Sequence, residues 1–243
     1  MTHWRRLGRI WALWPTRPNA VIEMIGGTYL AAGPQVSYRR LLEGLIEQNL
    51  AVHAWVYVPT LDHQVQAREA WQDFRQAREL LAQRLGGGQL ATLRLGHSLG
   101  CKLHLLAPDG GRSCRALVTL SFNNFAADRS IPLLKDLAPQ LGIKTGFSPS
   151  PWETLRLIRD HYVQERNLVV RFGNDALDQS TDLLNTLRSR HKDCSCSWHL
   201  PGNHLTPASF GLRRQLLGTW AEDTRRRQII ERLQEAISNW AMT

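Results

Sequence analysis

Short apolar runs alternate with longer segments in which apolar positions recur every three or four residues. This is the pattern of a mostly parallel sheet covered by helices on both faces. Ala20 to Ile25 reads as the first strong strand; it enters Gly26-Gly27, and Tyr38, Leu41, Leu42, Leu45 and Ile46 then fall at helical spacing. Ala51 to Val58 is a second strand, stopped by Pro59. Between Gln64 and Leu85, the residues Ala70, Trp71, Phe74, Ala77, Leu81 and Leu85 form one apolar face, and Gly86-Gly87-Gly88 ends that helix. Ala91 to Leu95, Arg115 to Leu120, Asn167 to Phe172 and Cys194 to Leu200 complete the strands. Helices are expected at Leu103 to Ala107, at Gln179 to Arg190, and at the end of the chain, where Ile229, Ile230, Leu233, Ile237 and Trp240 share a face.

These elements predict an α/β three-layer sandwich, organised as a single domain over 1–243. The stretch 122–166, with Pro132, Pro139, Pro149 and Pro151, is too long for a plain crossover and is expected to form an inserted cap over one edge of the sheet.

One pentapeptide gives this frame a chemistry. Gly96-His97-Ser98-Leu99-Gly100 matches G-x-S-x-G, directly after a strand and directly before a helix. Small residues on both sides let a sharply turned serine sit between strand and helix, with helix N–H groups aimed at a developing oxyanion. The alternative is a tight turn whose serine only caps the helix. A nucleophilic serine needs a base and an acid that orients it, and in sheets of this type these follow later strands in the order acid, then histidine. Asp175 stands just beyond the Asn167 to Phe172 strand, and His204 just beyond the last strand. Asp178 is a close rival to Asp175, and Asp128 a weaker one. His97 is read as a packing residue, because neighbours on a sharp turn point apart. For the oxyanion, Leu99 N–H is one donor; Thr28 N–H, in the loop Gly26-Gly27-Thr28-Tyr29, is the preferred second, with Gly27 next.

The composition narrows the remaining options. The hydrophobic share of 43% against 21% charged residues excludes a disordered chain. The net charge of +9 raises anionic partners, but no nucleic-acid reader element is present. The basic segment His3 to Arg17, with Trp4, Trp11 and Trp14, reads as tryptophans covering an edge of the core while arginines stay wet; weak peripheral contact with an anionic membrane is the other reading. No apolar run approaches the ~18 residues of a membrane span. Residues 1–19 lack an export signal, so a cytoplasmic protein is expected. Cys101, Cys114, Cys194 and Cys196 have no zinc-site spacing and are read as buried thiols. Neither metal nor organic cofactor is expected, and the oligomeric state is left open.

The blocks Ile25-Gly26-Gly27-Thr28 with Pro34-Gln35-Val36-Ser37-Tyr38, Leu61-Asp62-His63, Gly96 through His104, Ser121 through Phe125, Phe147 through Pro151, Asn174 through Gln179 and Gly202 through Pro207 resemble the α/β-hydrolase superfamily. More narrowly, they resemble a domain-of-unknown-function family of hydrolase-like proteins from cyanobacteria and plastids. The resemblance implies an eight-stranded-type sheet with a cap, in which the first strands can be missing, and a serine-hydrolase site. It implies no particular substrate. Gly26 departs from the superfamily pattern, in which a histidine often precedes the oxyanion glycine.

The expectation is a serine hydrolase acting on an ester or thioester of a small-molecule acyl substrate through Ser98, His204 and Asp175. Apolar residues of the cap segment, among them Phe125, Ile131, Leu133, Leu134, Phe147 and Trp152, favour a lipid-like acyl group. The alternative is a non-catalytic binding or scaffold protein that keeps the fold, peripheral to an anionic membrane.

Overall fold

The structure, a computed structural model, describes residues 3–125, 147–208 and 224–242. Eight strands form one sheet in the order β1-β2-β4-β3-β5-β6-β7-β8. These are β1 Arg5–Leu7, β2 Ile10–Leu13, β3 Ala20–Ile25, β4 Leu50–Trp55, β5 Ala91–His97, β6 Ala116–Leu120, β7 Asn167–Phe172 and β8 Cys196–Leu200. From β3 to β8 all pairs are parallel, so the loops leaving their C-terminal ends gather on one rim.

The first two strands were not anticipated. Gly8, at φ +59°, makes a two-residue turn between Leu7 and Ile10, and β2 then pairs antiparallel with β4. The eight-stranded sheet therefore retains its opening strands, and the tryptophan-rich segment supplies them. Its arginines lie over its own rings, Arg5 at 4.3 Å from the Trp14 centroid and Arg6 at 5.2 Å from Trp11.

The helices, numbered in chain order, are α1 Pro34–Ser37, α2 Arg39–Glu47, α3 His63–Arg84, α4 Leu99–Leu105, α5 Pro151–His161, α6 Ser180–Arg188 and α7 Thr224–Met242. Strand alternation sorts them onto two faces. Ala20, Ile22 and Met24 of β3 pack with Leu41, Leu42 and Leu45 of α2 and with Ile230, Leu233 and Ile237 of α7. On the other face, Trp55 packs with Ala70, Phe74 and Ala77 of α3 and with Leu103 of α4, while Leu117 and Val169 meet Ile158 of α5 and Leu183 and Leu187 of α6. The result is a three-layer α/β sandwich.

Part of the stretch expected as a cap is a crossover helix. Ser150 and Glu153 form a capping box that starts α5, which lies over Leu117 and Val169 on one face of the sheet. Residues 126–146 of that stretch, with Ile131, Leu133 and Leu134, lie outside the described residues, as does the rival acid Asp128. Among the described residues, no helix is long and apolar enough to cross a membrane.

The core also holds charge. Glu23 and Arg94 sit opposite each other in register on β3 and β5, and Arg94 makes a two-pronged pair with Asp109 at 2.9 Å on each oxygen. Arg78 of α3 reaches the same glutamate.

Candidate functional site

The polypeptide leaves β5 and turns through Ser98 into α4 with φ +54° and ψ −122° at the serine. Non-glycine residues rarely adopt this backbone, and here both flanks hold it: Ser98 N–H donates to Leu120 O at 3.0 Å, and Cys101 N–H donates to Ser98 O at 3.1 Å. The two glycines of the pentapeptide each admit a backbone. A Cβ on Gly96 would stand 2.6 Å from Cys101 Cα, and one on Gly100 would land on the carbonyl of Ile25, 2.6 Å from its carbon. Close packing of α4 against the end of β3 thus requires the second glycine.

Beyond β8 the chain passes Gly202 at φ +126°, where Thr206 fills the side-chain space. Asn203 N–H donates to Thr206 Oγ1 at 2.8 Å and Leu205 N–H to Asn203 Oδ1 at 3.0 Å, which tightens the loop that carries His204. The loop after β7 is tied to it by Asn174 N–H, which donates to Gly202 O at 2.8 Å. Three side chains from three loops therefore meet. Ser98 Oγ lies 2.9 Å from His204 Nε2, and His204 Nδ1 lies 2.9 and 3.1 Å from the two carboxylate oxygens of Asp175. The Asp175 side chain is fully buried, whereas the His204 imidazole is 17% exposed and Ser98 7%, so the acid end of the line is the one most shielded from water.

Burial opposes ionisation of Asp175, but the Ser121 hydroxyl, which faces it without completing a bond of ordinary geometry, the His204 imidazole and Leu177 N–H together hold its pKa below the usual carboxylate value. Asp178 is occupied elsewhere: it accepts from Arg171 Nε at 2.8 Å and from Ser180 N–H at 3.1 Å.

Of the two N–H groups considered in the loop after β3, Gly27 donates to Tyr38 Oη at 2.8 Å, and Thr28 is the next residue along the rim. The Gly27 backbone also passes close to the elbow, since a Cβ there would be 3.1 Å from Ser98 Cβ. His97 does more than pack, because both its ring nitrogens are hydrogen-bonded and its centroid is 5.0 Å from that of His204. Tyr38, read from the sequence as part of an apolar helix face and as the end of a family-like block but given no role in the site, belongs to the same cluster. No periodicity argument could reveal this, because its hydroxyl partners are distant in sequence.

One turn beyond the serine, Lys102 is buried and donates to Pro149 O at 3.0 Å; burial lowers its pKa to about 7. The cysteine expectation is corrected in part. Cys101 and Cys114 are buried, but Cys194 and Cys196 are exposed, because β8 is an edge strand and Cys194 precedes it. Among the described residues, no group of three or more His, Cys, Asp or Glu is placed to hold a metal ion.

Comparison with known proteins gives one family and one fold. The family model described as "Protein of unknown function (DUF1350)" matches residues 3–240. No curated protein matches the sequence. Among solved structures, a soluble variant of the monoglyceride lipase of Saccharomyces cerevisiae is similar with a TM-score of 0.66 at 10% identity, covering 100% of this chain and 96% of that one. The monoacylglycerol lipase of Paleococcus ferrophilus is similar with a TM-score of 0.62 at 11% identity, covering 95% and 99%. The fluorophosphonate-binding serine hydrolase F of Staphylococcus aureus is similar with a TM-score of 0.58 at 15% identity, covering 98% of both chains. At these identities the likeness is one of fold, and the fold is that of the α/β-hydrolases.

Proposed function

Because the chain belongs to the DUF1350 family of proteins of unknown function over nearly its whole length, and carries within it a serine in line with a histidine and a buried carboxylate, we propose that it is a serine hydrolase of esters or thioesters. The observation that carries this reading is the unbroken line from Ser98 Oγ through His204 to Asp175.

The geometry suits the following sequence. Asp175 holds His204 with its proton on Nδ1, which leaves Nε2 bare to accept the Ser98 proton as Oγ attacks the carbonyl carbon. The carbonyl oxygen becomes an oxyanion, for which Leu99 N–H at the start of α4 and Thr28 N–H are the donors. Collapse expels the alcohol or thiol, which takes the proton back from Nε2, and a water molecule repeats the cycle to release the acid. No step calls on a metal or organic cofactor.

The substrate class we favour is a lipid-like acyl ester. In support, Tyr29, Val58, Leu61, Trp152, Leu177 and Leu205 are large apolar residues left exposed on loops or a helix start that follow C-terminal strand ends, on the same rim as Ser98. The names of the two lipases of similar fold agree with such a substrate.

A fluorophosphonate probe tests the reaction class. The wild-type chain is expected to label, and Ser98→Ala to lose the label while remaining folded. A folded wild-type chain that never labels would instead support a non-catalytic binding protein. Turnover of p-nitrophenyl esters of increasing chain length tests the acyl preference, with medium or long chains expected to exceed acetate.

A further inference from the structure

Beside the serine, histidine and aspartate runs a second hydrogen-bonded chain, and its direction is determined at every link. His97 Nε2 lies 2.8 Å from His204 O; a carbonyl only accepts, so Nε2 carries the proton. The neutral imidazole then has a bare Nδ1, 2.7 Å from Tyr38 Oη, and the phenol must donate to it. Tyr38 Oη in turn accepts from Gly27 N–H at 2.8 Å. Both side chains are buried, Tyr38 at 0% and His97 at 1% exposure, so water cannot substitute for a lost partner.

The ends of this chain are the loop after β3 and the main chain of the residue that faces Ser98. These two segments are far apart in sequence and lie on different sides of β5 in the sheet. We propose that Tyr38 and His97 are positioning residues for the serine-hydrolase site, a buried strut that fixes the His204 backbone relative to the oxyanion loop. Neither touches the reacting atoms. Each acts through a residue that does.

Two further observations support the strut. It consumes the Gly27 N–H, leaving Thr28 as the donor that can face substrate. And Gly26, the departure from the superfamily pattern, makes room for it: a Cβ there would stand 2.6 Å from Tyr38 Cε2. The tyrosine ring thus lies against a backbone that only glycine allows. Burial and the neighbouring His204 keep His97 neutral, with a pKa lowered to about 3, as the chain of donors demands.

This inference rests on the hydrolase reading, and the experiment separates the two. Tyr38→Phe, His97→Leu and the double variant are measured for thermal midpoint, for kcat and KM on a p-nitrophenyl ester, and for the rate of fluorophosphonate labelling, beside wild type and Ser98→Ala. Each single variant is expected to lower kcat and the labelling rate by about 10- to 100-fold with KM within about threefold, and the double variant to be little worse than the poorer single. His97→Gln, whose amide can still donate to His204 O, should recover part of the loss. Folded variants with kcat within about threefold of wild type would overturn the proposal. Loss of activity only in proportion to unfolded protein would do so too.

A second measurement does not depend on activity. In protein labelled with 15N-histidine, His97 should resonate as the neutral form with its proton on Nε2 at pH 6, and Tyr38→Phe should change its Nδ1 shift. An Nδ1–H form or a charged ring would overturn the strut. An inactive wild type with the Nε2–H form intact would remove the hydrolase reading, and with it the positioning role.

Discussion

Acidification should destabilise this fold far more than its carboxylates alone would require. His53, His63, His97 and His104 are each 2% exposed or less, and burial lowers all four pKa values to about 3. The unfolded chain restores them to about 6.5, so between those values the unfolded state binds protons that the native state cannot. For groups depressed in the fold, stability is complete above pH 6.5 and falls as the pH drops toward 3. From pH 7 to pH 5 each histidine loses about 2 kcal/mol, and the four together about 8, against a total of about 5–15 kcal/mol for a typical domain. Aspartates of ordinary pKa scarcely titrate in this window. Glu23, raised by its burial, works in the opposite sense, although Arg78 and Arg94 restrain it.

Urea unfolding at pH 7, 6 and 5, extrapolated to water, measures the effect. The slope near pH 5 should approach the uptake of four protons on unfolding. His53→Leu sharpens the test, because both ring nitrogens of His53 lack a hydrogen-bond partner among the described residues and the variant should reduce the loss by about 2 kcal/mol. A total loss below about 2 kcal/mol between pH 7 and 5, or a His53→Leu chain with unchanged pH dependence, would refute the reasoning.

Three further outcomes follow from single contacts. Asp175→Asn should lower kcat by about 10³- to 10⁴-fold, because the amide no longer holds the Nδ1 proton, whereas Asp178→Asn should leave kcat within about threefold; steady-state kinetics on one ester decides between them. Gly100→Ala drives a methyl group into the Ile25 carbonyl and should cost about 3 kcal/mol or prevent folding, read from the thermal midpoint of the purified protein. Lys102→Met removes an amine whose pKa falls from 10.5 to about 7, a depression that weakens the fold below pH 10.5 and has full effect near pH 7. After subtraction of the lost bond to Pro149, the variant should gain about 2 kcal/mol at pH 8 by urea unfolding, and no gain would argue against a desolvated amine.

Much of the architecture was legible in local pattern. The strands Ala20–Ile25 and Asn167–Phe172 have the ends that their apolar runs suggest, since both are buried on two faces and bounded by polar residues or glycine. The G-x-S-x-G string was legible because its glycines answer a steric demand within five residues. The opening hairpin was not, because Arg5-Arg6-Leu7 and Ile10-Trp11-Ala12-Leu13 are too short to carry a periodic signal, and the pairing of the first with the second and of the second with β4 places them in the sheet. The exposure of Cys194 and Cys196 likewise depended on β8 becoming the sheet edge.

Taken alone, the sequence determined the order of the strands from Ala20 onward and of most helices between them, the strained turn at Ser98 and a short set of acids and histidines that could join it, because these depend on neighbours within a few residues. Which carboxylate faces His204, which N–H of the β3 loop is already taken, and that Tyr38 and His97 join two distant loops were decided by tertiary structure. Hydrogen bonds act over about 3 Å in space whatever the separation along the chain, and only the closed sheet brings residues 27, 38, 97 and 204 within that range.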